Sequence, residues 1–362
     1  MRQTSLPVRT AALAVIALAA LLLVALEGAA AAKPKPRSLQ KRTPGLVEAL
    51  AMDGSRVAYD VAGNYGSRTR CNEVYVWNVA RNVTTRVSGR QTCGADSTST
   101  GAGVRELALA GGRVAWIVNQ GGNSEKDDAL FTALLPKPKE RKLASALRTG
   151  GGEYGEPWVG GWIGGLTGSG PLLAVNQWVT DEGGVVGTAR LRTVTGGLRT
   201  IASGAQTLQA GSTDGKRIAV VREDGSVALY SSAGALLRRV QPSAPAEVAL
   251  GGGYLAVLTK ANTIEVYSAS TGKRLFTRHP AKGAASLDVE GSLAVYAAPK
   301  PGGRELRTVH VLRLRTGKDT VLTTQARRVV DVQIEAPGVA YAVYRPGYRG
   351  AVVFVPISRV LG

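Results

Sequence analysis

The chain has 362 residues, of which 46 are glycine, three phenylalanine and two methionine, and its formal net charge is +19. Val, Ala, Leu and Thr carry the apolar content, which favours short strands and many turns over bulky helical packing. The length admits two domains or one large repetitive one. The two histidines, His279 and His310, and the two cysteines, Cys71 and Cys93, have no metal-ligand spacing, so no metal site or cofactor is expected.

Residues 1–32 stand apart from the rest. Arg2 and Arg9 form a basic lead, Ala11 to Leu26 is an unbroken apolar run, and "EGAAAAK" places Ala30 and Ala32 for cleavage before Lys33. This reads as a signal peptide. An uncleaved anchor is the alternative, since the alanines up to Ala32 extend the run towards the ~20 residues that span a bilayer. Membrane contact is therefore expected only through residues 11–32. No cysteine follows the run, which excludes a bacterial lipoprotein anchor. The remainder is expected outside the cytoplasm, secreted or in the periplasm or cell envelope. Without residues 1–32 there are 43 basic and 25 acidic residues. That excess suits an acidic partner such as an anionic envelope polymer. The plainer reading is arginine scattered over solvated strand faces. Basic and aromatic residues do not interleave as they do on single-strand nucleic-acid platforms, so no specific nucleic-acid signal is present.

Residues 33–45 form a basic, proline-containing linker, and "RSLQKRT" within it is a candidate closing strand. From residue 46 one phrase recurs: an apolar run, a glycine turn, a second run often starting "VA" or "LAV", a variable gap, a third run, a tight turn and a weaker fourth run. The copies open at "VEALAMDGSRVAYDV", "VRELALAGGRVAWIV", "WVGGWIGGLTGSGPLLAVNQWV", "STDGKRIAVV", "EVALGGGYLAVLTK", "ASLDVEGSLAVYAA" and "VVDVQIEAPGVAYAVYR". The first turns fall at Gly54, Gly112, Gly170, Gly215, Gly252, Gly291 and Gly338. Their spacing centres near the ~40–45 residues of a propeller blade. Second strands that are apolar on both faces need cover from both sides, which radially stacked sheets supply. The seventh copy has only three clear strands. The expected fold is therefore all-β, a β-propeller of seven four-stranded blades over residues 46–362, closed by an N-terminal strand. A pair of β-sandwich domains divided near residues 149–155 is the rival.

The hairpins carry a family resemblance. "STDGKRIAVV" resembles the Asp-Gly-Lys turn of TolB-like propellers, and "VYVWNVARNVTTRV" is similar to the third-to-fourth-strand hairpin of WD-repeat-like blades. "IEVYSASTGKRLFTR" is similar to a quinoprotein-type hairpin, with Phe276 near the place of that family's tryptophan. The resemblance implies a propeller and specifies no chemistry.

Turns between first and second strands, and between third and fourth, are short and share one face. The long insertions belong to the other face: residues 62–72, 90–103, 119–128, 149–157 and 180–187. One-sided insertions commonly mark a binding surface. The candidate binding residues there are Arg68, Arg70, Glu125, Asp127, Asp128, Glu153, Tyr154, Glu156, Asp181 and Glu182. The bland reading of the acidic ones is solvated loop charge, and their spacing matches no twelve-residue calcium loop. Cys71 and Cys93 flank a hairpin and are expected to form a disulfide. His279 precedes a proline, and His310 lies in "VHVLRLR", where a half-exposed surface position is expected. "GGWIGGLTGSG" lacks the helix that a phosphate cradle needs. Asn82 in "NVT" is a glycosylation acceptor if the host glycosylates. No catalytic set is recognisable. The reading is a non-catalytic propeller that binds a protein or anionic polymer through the loop-rich face. The alternative is a propeller enzyme, a polysaccharide lyase or hydrolase or a degenerate quinoprotein.

Overall fold

The computed structural model describes residues 37–63, 72–93, 103–122, 125–150, 159–180, 187–204 and 208–361. After β1 (Leu39–Thr43), blade one comprises β2 (Leu50–Asp53), β3 (Arg56–Val61), β4 (Glu73–Asn78) and β5 (Val83–Arg86). A helical turn, α1 (Arg90–Cys93), precedes blade two: β6 (Gly103–Ala110), β7 (Arg113–Gly121), β8 (Glu125–Leu134) and β9 (Arg141–Thr149), with β10 (Val159–Gly160) added outside β9. Blade three comprises β11 (Trp162–Ser169), β12 (Leu172–Thr180), β13 (Gly187–Val194) and β14 (Leu198–Gly204). Blade four follows as β15 (Leu208–Thr213), β16 (Arg217–Arg222), β17 (Val227–Ser231) and β18 (Leu236–Val240). Blade five is β19 (Pro245–Gly251), β20 (Tyr254–Thr259), β21 (Ile264–Ser268) and β22 (Arg274–Arg278). Blade six is β23 (Ala285–Glu290), β24 (Leu293–Pro299), β25 (Leu306–Arg313) and β26 (Asp319–Thr324). Blade seven is β27 (Val329–Glu335), β28 (Gly338–Arg345) and β29 (Arg349–Pro356), before the terminal turn α2 (Ile357–Leu361).

The missing strand of blade seven comes from the other end of the chain. β1 pairs antiparallel with β29, Leu39 opposite Phe354 and Thr43 opposite Gly350. Contacts between β27 and β2 complete the ring of inner strands. The chain is thus a seven-bladed β-propeller closed by its N-terminal strand. "WV" before "GGWIGG", placed by sequence with the third copy, instead contributes Val159 to the edge of blade two, opposite Thr149.

Seven apolar clusters fill the seven seams, each drawn from two adjacent blades. In β7, Val114, Trp116 and Val118 point towards blade one, while Ala115 and Ile117 point towards blade three. Successive side chains of a strand face opposite ways, so a second strand without polar alternation is the sequence signature of a sheet covered on both sides. Outer strands, which face solvent, show Val83, Leu147, Leu236 and Val321 about half exposed.

The inner strands have a second regularity. Those of blades two to seven each depart from plain pairing with the second strand at one irregularity of bulge type. Bulges free backbone N–H groups from the ladder, and side chains of the preceding blade accept them. Glu106 Oε2 accepts Leu166 N at 2.7 Å, and Glu247 Oε2 accepts Leu287 N at 2.8 Å. Leu166 and Leu287 both lie inside these irregularities. Asp288 Oδ2 accepts Ile334 N at 2.8 Å, and Ser212 Oγ accepts Leu250 N at 2.9 Å.

Candidate functional site

The first strands of blades one, four, six and seven end on an acidic residue or pass directly into one: Asp53, Asp214, Glu290 and Glu335. Equivalent repeat positions converge on the ring axis, so this pattern places carboxylates at the short-turn end. A cavity of about 310 Å³ lies there, lined by the last residues of the inner strands, including Ser169, Asp214, Gly252, Asp288, Glu290 and Glu335. Its surface is mostly polar, because an inner strand presents its unpaired backbone edge to the axis.

Two of these four carboxylates, Asp53 and Asp214, are committed to structure. Asp53 Oδ2 accepts Gly111 N at 3.0 Å and Oδ1 accepts Gly170 N at 3.1 Å, so one side chain joins the first turns of three blades. Arg56 pairs with Asp53 at 3.0 Å, and Arg217 pairs with Asp214 in the corresponding turn at 2.5 Å. Both turns read Asp-Gly-x-Arg, which is the structural content of the "DGK" phrase.

Glu335 and Glu290 differ, for neither is in an ion pair among the described residues, and the Glu335 carboxyl accepts the backbone N–H of its own neighbour Ala336 rather than one from another blade. Burial pushes the Glu335 carboxyl up to about 8, helped by the negative charges of Glu290, Asp288 and Asp53. Burial also raises Glu290. It raises Asp288 to about 7, with Asp331 and Glu290 adding to the rise and the N–H groups of Ile334 and Val289 opposing it. At neutral pH Glu335 is held mainly as the neutral acid. Sequence reasoning passed over both glutamates, although the acidic residue before the first turn was a readable signal.

The acidic candidates of blade two are not loop residues. The β7–β8 ladder continues to Lys126 opposite Gly121, so Glu125, Asp127 and Asp128 belong to a strand. Polar cross-strand pairs extend the ladder: Asn119 Nδ2 donates to Asp128 Oδ1 at 2.7 Å, and Gln120 Nε2 to Asp127 Oδ2 at 3.3 Å. Asp128 is fully buried, accepts Ile163 N from blade three at 3.2 Å and faces Arg105 at 3.3 Å. It is therefore a tie between blades and not a solvated charge.

His310 also departs from expectation, being buried where a half-exposed position was expected. Its ring stacks on Tyr296 at 4.7 Å, Nε2 lies 3.0 Å from Thr308 Oγ1, and Nδ1 lies 3.3 Å from Asp319. Tyr296 Oη donates to Asp319 and accepts Ala281 N at 2.9 Å. These bonds pin the outer strand and the blade-five-to-six connection onto blade six. His279 is exposed just after β22 and has no described hydrogen bond.

Arg68, Arg70, Cys71, Glu153, Tyr154, Glu156, Asp181 and Glu182 lie outside the described residues. So do residues 1–36 with the signal segment. Cys93 is described only as the last residue of α1. Glu140, from the β8–β9 connection, accepts Gly89 N and, at 2.9 Å, Thr92 N, while Trp116 Nε1 donates to Thr92 Oγ1 at 2.8 Å. These partners come from the short-turn half of blade two, so the α1 part of residues 90–103 packs there and not over the loop-rich face. Among the described residues no cluster of three His, Cys, Asp or Glu is placed to hold a metal ion, and no helix is long and apolar enough to cross a membrane.

No protein-family model matches the chain, and no curated protein does. Solved structures do resemble it. A chain of a mitotic checkpoint complex superposes with a TM-score of 0.54 at 14% identity, covering 89% of this chain and 94% of that one. Saccharomyces cerevisiae Sqt1 gives 0.48 at 11% identity, with 89% and 100% covered. The computationally designed Ika8 protein gives 0.48 at 13% identity, with 87% and 98% covered. At such identities the likeness is one of fold. The WD-repeat-like resemblance of the hairpins holds at that level.

Proposed function

We propose that the chain is an exported, non-catalytic β-propeller that binds a protein or an anionic polymer through its loop-rich face. The observation that carries this reading is the commitment of the ring's carboxylates. Asp53, Glu106, Glu247 and Asp288 on inner strands each accept a backbone N–H of another blade, as Asp128 does from the third strand of blade two, which makes these acids a set of ties between blades. A binding platform needs such rigidity more than it needs free acid–base groups. The signal-like residues 1–32 and the excess of arginine and lysine support export and an acidic partner. The checkpoint-complex chain, a propeller-like neighbour found in a protein assembly, is in keeping with a protein partner.

The test is binding of the mature chain to anionic envelope polymers and envelope extracts across a salt series. Arg68→Gln/Arg70→Gln is expected to weaken binding, while Lys216→Gln on the short-turn face leaves it unchanged. Affinity is expected to fall steadily with salt. No binding at any ionic strength overturns the reading. An oxidised Cys71–Cys93 pair belongs to the same reading, and two free thiols in the denatured, unreduced exported chain count against it.

Glu335 and Glu290 favour a second reading, a propeller enzyme using a neutral acid beside a carboxylate in the axial cavity. Turnover of a polysaccharide that is abolished by both Glu335→Gln and Glu290→Gln would establish it. Turnover unaffected by either removes it.

A further inference from the structure

We infer that blade seven carries a pocket for a phosphate-type oxyanion, formed by Arg42, Arg345 and Arg349. This pocket belongs to the loop-rich face and deepens the binding reading above by naming a ligand class. Its three arginines come from the two ends of the chain. Arg42 is on the closing strand β1, and Arg345 and Arg349 bracket the turn between β28 and β29. With Thr43, Pro44 and Gly350 they line a cavity of about 290 Å³.

Register explains the convergence. Arg345 and Arg349 are directly opposite each other, so their side chains leave the same face of the sheet. Arg42 is opposite Ala351, two residues along from Arg349 and thus on that face as well. Directly opposed like charges destabilise a strand pair, and a third guanidinium adds to the repulsion. Yet among the described residues none of the three makes an ion pair or a side-chain hydrogen bond. Some other arginines on strand surfaces do find a carboxylate, such as Arg86 with Glu73 at 2.9 Å and Arg307 with Glu305 at 2.7 Å. Three guanidinium groups around one cavity, with no protein carboxylate among the described residues to neutralise them, attract an anion from solvent.

The floor of the pocket is shaped for close approach. A Cβ on Gly350 would lie 2.8 Å from Thr43 Oγ1 and 3.0 Å from Val47 N, so only glycine lets the β1–β2 segment pass. Thr43 Oγ1 donates to Gly45 O at 2.6 Å and fixes that passage. Thr43 and Gly350 are opposite each other and one residue off Arg42 and Arg349, so the Thr43 hydroxyl leaves the other face; the walls of the pocket are guanidinium and its floor is backbone. A carboxylate offers two oxygens and matches one guanidinium fork, whereas phosphate and sulfate offer enough oxygens for three. This selects a phosphate or sulfate group, free or as the ester of a larger molecule.

Calorimetric titration of the mature chain with inorganic phosphate, at ionic strength held constant with chloride, tests the inference. One saturable site is expected, with sulfate competing and acetate much weaker. Arg345→Gln/Arg349→Gln is expected to lower phosphate affinity by about tenfold or more, since two charge-assisted donors are lost. The same variant should melt no lower than the parent, because repulsion has been removed, and phosphate should raise the melting temperature of the parent alone. Methyl phosphate binding as well as inorganic phosphate identifies an ester group as the source, and its exclusion identifies the free ion. Phosphate no better than acetate, or undiminished in the double variant, overturns the pocket. Phosphate binding the parent no better than acetate while a polyanion still binds it would overturn this pocket and leave the broader loop-face reading standing.

Discussion

Asp53 and Gly170 are 117 residues apart in sequence, yet the Asp53 carboxylate accepts the Gly170 N–H at 3.1 Å. The other oxygen accepts Gly111 N at 3.0 Å, so three blades meet at one side chain on the axis. Gly170 has φ +52°, a conformation that L side chains seldom adopt. Asp53→Ala leaves two part-buried N–H groups without partners, at ~1–3 kcal/mol each where water does not replace the bond. We expect a loss of about 2–4 kcal/mol in urea unfolding, with Asp53→Asn recovering part of it because the amide oxygen still accepts one bond. A midpoint unchanged by alanine would show that water substitutes fully at this end of the axis.

Tyr296, Asp319, His310 and Thr308 form a connected polar group within blade six. Tyr296→Phe keeps the ring stacked on His310 but removes a donor to Asp319 and an acceptor of Ala281 N. A cost of about 1–3 kcal/mol is expected, in the range for part-buried hydrogen bonds. Binding at the loop-rich face should be unaltered, because the group joins strands and the blade-five-to-six connection. A variant that folds with parental stability yet loses binding would reassign these residues to function.

The blade repeat was legible because strand burial writes itself into local sequence. Runs such as "RVAYDV" and "GVAYAVYR" lack polar alternation, as sheets covered on both sides require. Closure by β1 was legible from the shortfall of one strand in the last repeat. The ties between blades were not, since Glu106 and Asp128 find their partners 60 and 35 residues further along the chain. Local pattern reports that an acid is present but not which distant N–H it meets. The blade-two candidates failed for a related reason. "EKDDA" reads as a polar loop until Asn119 and Gln120 are seen opposite Asp128 and Asp127. The acidic end of the axis was encoded at one repeat position, but reading it requires the repeats to be superposed.

Ring closure by β1 gives a third prediction. β1 covers the edge of β29, whose residues Ala351 to Val355 are almost fully buried. A mature chain beginning at Pro44 would expose that edge and would lack Arg42. An uncovered apolar edge strand is a template for pairing with another chain. We expect a lower melting temperature and concentration-dependent association in size-exclusion chromatography, reversed by supplying residues 37–43 as a peptide. A truncated chain that stays monomeric with parental stability would show that the ring does not depend on this strand.

Stability should fall as pH rises from about 5 to 8. Glu335 and Asp60 are pushed up to about 8, Asp288 to about 7 and Asp331 to about 6, in each case mainly by burial. Asp60 illustrates the cause: Oδ1 accepts Glu48 N at 2.7 Å and Ala49 N at 2.8 Å, while Oδ2 has no partner. An acid that holds its proton more tightly folded than unfolded adds stability that is complete below its unfolded value of about 4. That stability is lost as pH climbs through the folded value. Asp319 and Glu265 are shifted downward despite the opposing effect of burial, through hydrogen bonds that include His310 and Tyr267 as donors. Their contribution is present at neutral pH and is lost only on stronger acidification. The two groups together place the optimum on the mildly acidic side, near about pH 5. Glu335→Gln, which mimics the protonated acid at every pH, should flatten the decline and raise the urea midpoint at pH 8 more than at pH 5. A parental midpoint that rises between pH 5 and 8 would mean that these carboxyls are solvated and ionised in the folded ring.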